Sequence, residues 1–174
     1  MPVPFRSVDE LCAVLDDGHR EDGYTALDHH LQCADILASE GVDIELRIAG
    51  LVHDVASSLD PRPSGDHAEI GAQLLRALLG DRVADLVAGH VRAKRYLVTV
   101  EPSYRALLND DSTRTLARQG DTLTAEEVLA FERAPLADDW IALRRADDHA
   151  KIAGLVVPDL TAWRPLIDSV ARRE

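Results

Sequence analysis

A histidine and an aspartate, His53-Asp54, close the apolar run Ile48-Ala49-Gly50-Leu51-Val52. A charged pair after such a run needs a strong compensating partner, and a metal ion is the commonest one for adjacent His and Asp. More histidines flank the pair, and an aspartate lies far downstream. With His29, His67, His90 and Asp147 the pair supplies six candidate ligands, enough for two metals.

At 174 residues the chain is long enough to bury a substantial core and reads most simply as one domain, 1–174, with its metal-binding part at about 25–153. Hydrophobic residues make up 46% and aromatics only 4%, with Ala and Leu dominant, which favours packed helices over a sheet. The net charge of −12 argues against a nucleic-acid backbone or an anionic membrane as partner. It does not exclude a small anionic substrate, because a few buried cations and metals set the local field. Cys12 and Cys33 form neither a ligand motif nor a disulfide framework. The opening MPVPFRSVDE lacks an apolar signal core, and no stretch reaches the ~20 apolar residues of a membrane span. The expectation is a cytoplasmic globular protein.

Ser7 and Glu10 read as a capping box opening a short helix that stops near Gly18. Leu27, Leu31, Ala34, Leu37 and Ala38 mark a helix over 25–40, ending at Gly41. A third helix, about 43–58, is apolar around much of its circumference and belongs at the centre of a bundle. The segment 60–66 is a Pro- and Gly-containing loop, after which Asp66 caps a helix over 67–79 that ends at Gly80. Another helix covers 81–99. A polar stretch, 109–123, separates it from a helix capped by Thr124 and Glu127. A long helix follows over about 136–152, and a last short one follows Pro158. Strand patterns are absent apart from the brief Leu97–Val100. The fold class is all-α.

His29, His67, His90 and Asp147 each come from a different one of these helices. A helical bundle builds a dinuclear site this way, with one carboxylate bridging two ions that carry histidine nitrogens. His53 and Asp54 diverge by ~100° on a helix, yet can meet one ion at a helix end, or Asp54 can bridge two. Any single histidine is more often a capped or surface residue than a ligand. His19, His30 and His149 are assigned that bland role, and the ordered set as a whole points to metal.

The order H…HD…H…H…D resembles the HD-domain superfamily, whose fold is a bundle of about five core helices around one or two metals. LDHHLQCADIL at 27–37, LVHDV at 51–55, GDHAEIGAQLL at 65–75 and GHVRAKRYL at 89–97 are similar to its mixed-valent diiron oxygenases. So are DSTRTLARQGD at 111–121, EEVLAFERAP at 126–135 and LRRADDHAKIAGL at 143–155. The resemblance covers about 25–170 and is strongest to enzymes that oxidatively cleave the carbon–phosphorus bond of 2-amino-1-hydroxyethylphosphonate or its trimethylammonio analogue. It is more distant to myo-inositol oxygenase.

The resemblance implies two iron ions, Fe(II)/Fe(III), with O2 as co-substrate. One iron would be held by His29, His53, Asp54 and Asp147, and Asp54 would bridge to a second held by His67 and His90. Lys94, Ser112, Thr115 and Arg144 would hold phosphonate oxygens, and no side chain would act as a nucleophile. Two cations and two hydroxyls suit a tetrahedral dianion. Lys94 lies one helical turn beyond His90, so it points the same way. Read alone, Arg144 is a surface arginine paired with Asp138 or Asp148, and Ser112 and Thr115 are caps of a short helix. The implied partner is a small anionic, hydroxylated phosphonate.

The chain departs from the family pattern beside the metals. Where the family writes HD-x-G-H, Ser57 takes the place of the second histidine, and a hydroxyl cannot titrate near neutrality as imidazole does. The family's gating Tyr and Glu stand ten and seven residues before the first histidine. Those offsets hold His19 and Asp22 here, with Tyr24 and Glu21 nearby. These changes leave the substrate's far end open. Two other readings stand beside the oxygenase. One is an HD phosphohydrolase releasing phosphate without O2 by means of a metal-bound hydroxide, and the other is a non-catalytic metal-binding module.

Overall fold

The computed structural model describes residues 3–16, 20–21, 23–60 and 67–172, with the backbone alone at 20–21. It is all-α apart from one small hairpin. Helix α1 (Val8–Asp16) leads to β1 (Arg20–Glu21) and β2 (Tyr24–Thr25), which pair antiparallel with Arg20 opposite Thr25. Then follow α2 (Ala26–Ser39), α3 (Ile44–Val52), α4 (Val55–Leu59), α5 (His67–Val100) and a 3-10 turn (Tyr104–Leu107). The last elements are α6 (Asp110–Arg118), α7 (Ala125–Glu132), α8 (Ala137–His149) and α9 (Leu160–Val170).

The starts of these helices follow local chemistry. Thr25 and Asp28 form a reciprocal capping box on α2, with bonds of 3.0 and 2.7 Å. The Asp43 carboxylate accepts from the amides of Glu45 and Leu46 to open α3. Thr124 and Glu127 close the expected box on α7. At the first helix Ser7 accepts from the Glu10 amide, but the Glu10 carboxylate takes the Arg6 amide instead of that of Ser7.

The bundle centre is α2 packed on α3 and α8, with α5 against α3 and α8. Leu31, Ala34 and Leu37 of α2 meet Ile48, Leu51 and Val52 of α3. Leu79, Leu86 and Val87 of α5 join them with Leu143 and Ala146 of α8, all buried. Burying each such side chain contributes roughly 1.5–3 kcal/mol of transfer free energy. No helix is long and apolar enough to cross a membrane among the described residues.

Several expectations are corrected. The helix over 43–58 breaks at His53-Asp54, where Asp54 adopts φ −104, ψ 17 and starts α4. The stretch 109–123 contains α6, capped by Asn109. Ser112 and Thr115 therefore lie within that helix and do not cap it. Leu97–Val100 ends α5 and is not a strand, whereas 20–25 holds a hairpin that periodicity over so few residues could not reveal. The helix expected over 136–152 ends at His149, because Ala150 leaves the helical region at ψ 44 and its carbonyl turns to His29. The expected boundary at Gly80 is real: α5 is interrupted there by φ 87, ψ 173, which only glycine adopts without strain. Gly18 and the Asp66 cap lie outside the described residues.

Candidate metal centre and anion pocket

Six donor groups converge from four places in the fold. His29 comes from the first turn of α2, His53 and Asp54 from the α3–α4 break, His67 and His90 from α5, and Asp147 from α8. The break between α3 and α4 is what lets His53 and Asp54 face the same space. His29 Nε2 lies 3.3 Å from His53 Nε2 and 3.3 Å from Asp147 Oδ1. His67 Nε2 lies 3.1 Å from His90 Nε2, and Asp54 Oδ1 stands 3.3 and 3.5 Å from those two nitrogens. The other Asp54 oxygen, Oδ2, is 3.5 Å from His53 and 3.9 Å from His29. One carboxylate thus divides its two oxygens between two clusters.

The donor chemistry fits metal ions. The Nδ1 atoms of His29, His53 and His90 sit 2.7, 2.8 and 2.7 Å from the carbonyls of Ala150, Gly50 and Val87. A carbonyl can only accept, so each Nδ1 carries the proton and each Nε2 turns a lone pair inward. Facing lone pairs repel unless a cation sits between them. Separations of 3.1–3.5 Å are the edges expected of a coordination shell with bonds of ~2.1 Å. His29, His53 and Asp147 form one group able to hold an ion, and Asp54, His67 and His90 a second.

Electrostatics keep the carboxylates ionised. Burial raises the Asp147 pKa, but Arg144 and Lys151 overcome this and hold it well below the usual carboxylate value. Arg144 Nη1 approaches Asp147 Oδ2 at 2.6 Å and Lys151 Nζ approaches Oδ1 at 2.8 Å. Asp54 is likewise held well below its usual value, burial being outweighed by His53, His67 and His90. Burial opposes charge on His53, yet Asp54, Cys33 and Asp147 raise its pKa, so a metal ion competes with a proton for its Nε2. His90 is lowered to about 4 by burial despite the nearby Asp54.

A cavity of about 420 Å³ opens over both clusters, within the roughly 300–1,000 Å³ range of small-molecule sites. Lys94, Ser112, Thr115 and Arg144 all line it. Lys94 is 2% exposed, and its ammonium donates to Thr115 Oγ1 at 3.0 Å and the Ser112 carbonyl at 3.5 Å. Burial and the neighbouring Arg144 lower its pKa to about 8. The Arg144–Asp148 pairing considered from sequence does form, but in the interior: Arg144 is 3% exposed and also donates to the Tyr104 hydroxyl and Ser112 Oγ. Its guanidinium therefore orients Asp147 as well as facing the cavity.

Ser57 and Tyr24 line the cavity, the Tyr24 ring centroid 6.4 Å from that of His29. His19 and Asp22 lie outside the described residues. His30, set aside as bland, is buried on the cavity wall with Nδ1 lacking a hydrogen-bond partner, and burial beside His29 and His53 lowers its pKa to about 3. Sequence reasoning also missed Tyr104, Arg118 and Gln119. For the last two the available signal was spacing, one helical turn beyond Thr115.

The HD domain family model matches residues 26–130, and the chain belongs to the HD-domain family. It is 32% identical over 160 residues to the 1-hydroxy-2-(trimethylamino)ethyl phosphonate dioxygenase (glycine-betaine-forming) of Leisingera caerulea, covering 87% of this chain and 82% of the relative. It is 33% identical over 158 residues to the hydroxymethylphosphonate dioxygenase of Gimesia maris, covering 86% and 79%. A shorter match, 35% over 74 residues, covers 39% of this chain and 14% of the ribonuclease Y of Pseudothermotoga lettingae.

Proposed function

We propose that this protein is an O2-dependent oxygenase that cleaves the carbon–phosphorus bond of a small 1-hydroxyphosphonate, using two iron ions of mixed valence. The observation that carries this reading is the juxtaposition, in one cavity, of two three-donor clusters, Asp54 of the second also facing the first, with a buried, carboxylate-free ammonium, Lys94. Similarity over most of the chain to two phosphonate dioxygenases supports it.

His29, His53 and Asp147 would hold one iron and His67 and His90 the other, with Asp54 shared. When bound, the pair supplies O2 reduction and oxidation of the substrate carbon. The chain's own residues bind and orient. Lys94 brings a positive charge to the phosphonate, with the Thr115 and Ser112 hydroxyls beside it as hydrogen-bonding groups. Arg144 adds a second charge while fixing the orientation of Asp147. The three Nδ1–carbonyl bonds keep the imidazole lone pairs directed inward. The overall reaction balances with O2 alone: R–CH(OH)–PO3H2 + O2 gives R–COOH and H3PO4. The substrate loses four electrons and O2 accepts four. The unpaired thiols Cys12 and Cys33 support action in a reducing cytoplasm.

Anaerobic loading with Fe(II) followed by partial oxidation tests the reading. We expect a mixed-valent EPR signal that shifts on adding a 1-hydroxyphosphonate, and phosphate release only after O2 is admitted. Phosphate release from phosphate esters without O2, and no such signal, would establish the hydrolase reading instead.

A further inference from the structure

The oxygenase reading leaves the substrate's far end unassigned, and the charge pattern of the cavity bears on it. Although the chain as a whole carries −12, five cationic side chains line the cavity among the described residues: Lys94, Arg114, Arg118, Arg144 and Lys151. Three of these are matched by carboxylates. Arg144 pairs with Asp147 and Asp148, Lys151 with Asp147, and Arg114 with Asp111 at 2.6 Å. Two are not. Lys94 is surrounded by hydroxyl and carbonyl oxygens, and Arg118 makes no hydrogen bond or ion pair with any described residue.

These two cations stand at different depths. Lys94 is buried beside Thr115, whereas Arg118 is exposed at the C-terminal end of α6, ~5 Å further along the helix axis. Next to Arg118, Gln119 lines the same cavity with its Oε1 buried and without a partner. Either end of an amide can be turned to a ligand, so Gln119 offers a donor as readily as an acceptor.

A cationic far end suits this region poorly. Quaternary ammonium groups are held by aromatic faces, and Tyr24 is the one Phe, Tyr or Trp among the described lining residues. Arg118 would repel such a group. We propose, resting on the oxygenase reading, that Arg118 and Gln119 form a second anion subsite, and that the substrate is a 1-hydroxyphosphonate bearing a carboxylate on a short carbon chain. The products are then a dicarboxylate and phosphate, with the same balance as above.

Calorimetry on the iron-loaded protein under anaerobic conditions tests the subsite without turnover. The probes are 2-carboxyethylphosphonate and 2-aminoethylphosphonate, which lack the reacting hydroxyl. The carboxylated probe is expected to bind at least tenfold tighter, and Arg118→Gln to reduce that preference to threefold or less. No binding of the carboxylated probe, equal affinity for the two, or a preference that survives Arg118→Gln would overturn the subsite. A separate assay follows O2-dependent phosphate release from hydroxymethylphosphonate and 2-carboxy-1-hydroxyethylphosphonate. Release without calorimetric discrimination removes the subsite and leaves the oxygenase. Discrimination without O2-dependent release from either compound removes the oxygenase reading and leaves an anion site.

Discussion

Lys94 carries a charge that the fold does little to compensate. Its pKa, lowered to about 8 by burial and Arg144, places its titration within the working range of an enzyme. Arg144, Asp147 and Asp148 from α8 and Asp54 from the α3–α4 break set the field around it. Below pH 8 the ammonium is charged and attracts a phosphonate; above it the charge is lost. The kcat/KM for a 1-hydroxyphosphonate, which reports the free protein, is therefore expected to fall as pH rises through about 8. Lys94→Met should remove that limb, lower kcat/KM at pH 7 by about 100-fold and leave the iron content unchanged. A limb that persists in the variant would assign the titration elsewhere. The stability sign is opposite to that of a paired lysine. Between the folded value near 8 and the unfolded value near 10.5, the unfolded chain binds more protons, so charge on Lys94 opposes folding at neutral pH and the penalty is relieved as pH rises. Lys94→Met should accordingly stabilise the fold by an amount on the order of 1–3 kcal/mol, read as a higher thermal midpoint. Lys94 was legible in the sequence because His90 lies one turn before it. The Arg144 contacts were half legible: i+3 and i+4 spacing points to Asp147 and Asp148, but Tyr104 and the burial come from tertiary packing.

At the scale of elements, legibility tracks which face of a helix is apolar. Helices α2, α3 and α5 bury Leu, Ile and Val at helical spacing and can be read directly. Helix α6 turns Ser112 and Thr115 inward with Leu116 as its one buried apolar side chain, so no apolar stripe marks it and its sequence reads as a loop. The α3–α4 break leaves no local signal either, since no Pro or Gly stands at His53-Asp54, where the backbone leaves the helix. Gly89 marks a different constraint, the close approach of α5 to α8 beside His90. A Cβ there would lie 2.1 Å from Trp140 Nε1, which donates to the Asp85 carbonyl at 2.9 Å. Gly89→Ala gains ~1 kcal/mol of helix propensity but forces an indole held by packing and a hydrogen bond to move. The expected outcome is a net loss of roughly 1–3 kcal/mol in urea unfolding, with weaker iron binding because His90 follows directly. A variant as stable as the parent would show that α8 can slide away at no cost.

Across the whole molecule, the six donors tie α2, the α3–α4 break, α5 and α8 together at one point, so folding and metal binding should be linked. Facing imidazole lone pairs oppose folding when nothing sits between them, and bound ions reverse that sign. At a free ion concentration ~100 times the dissociation constant, each site adds about 2.7 kcal/mol. For a chain of this size ~2–4 °C accompanies each kcal/mol. Iron-loaded protein should thus melt roughly 5–10 °C above chelated protein for each occupied site. His67→Ala separates the two sites, because His67 belongs only to the group shared with Asp54 and His90. That variant is expected to bind one iron per chain, keep its helical circular dichroism, and retain about half of the metal-dependent rise in melting temperature. Calorimetric scans paired with metal analysis decide the matter. An unchanged rise with two irons bound would show that His67 is no ligand. A complete loss of the rise with no iron bound would show that the clusters fill as a unit through Asp54.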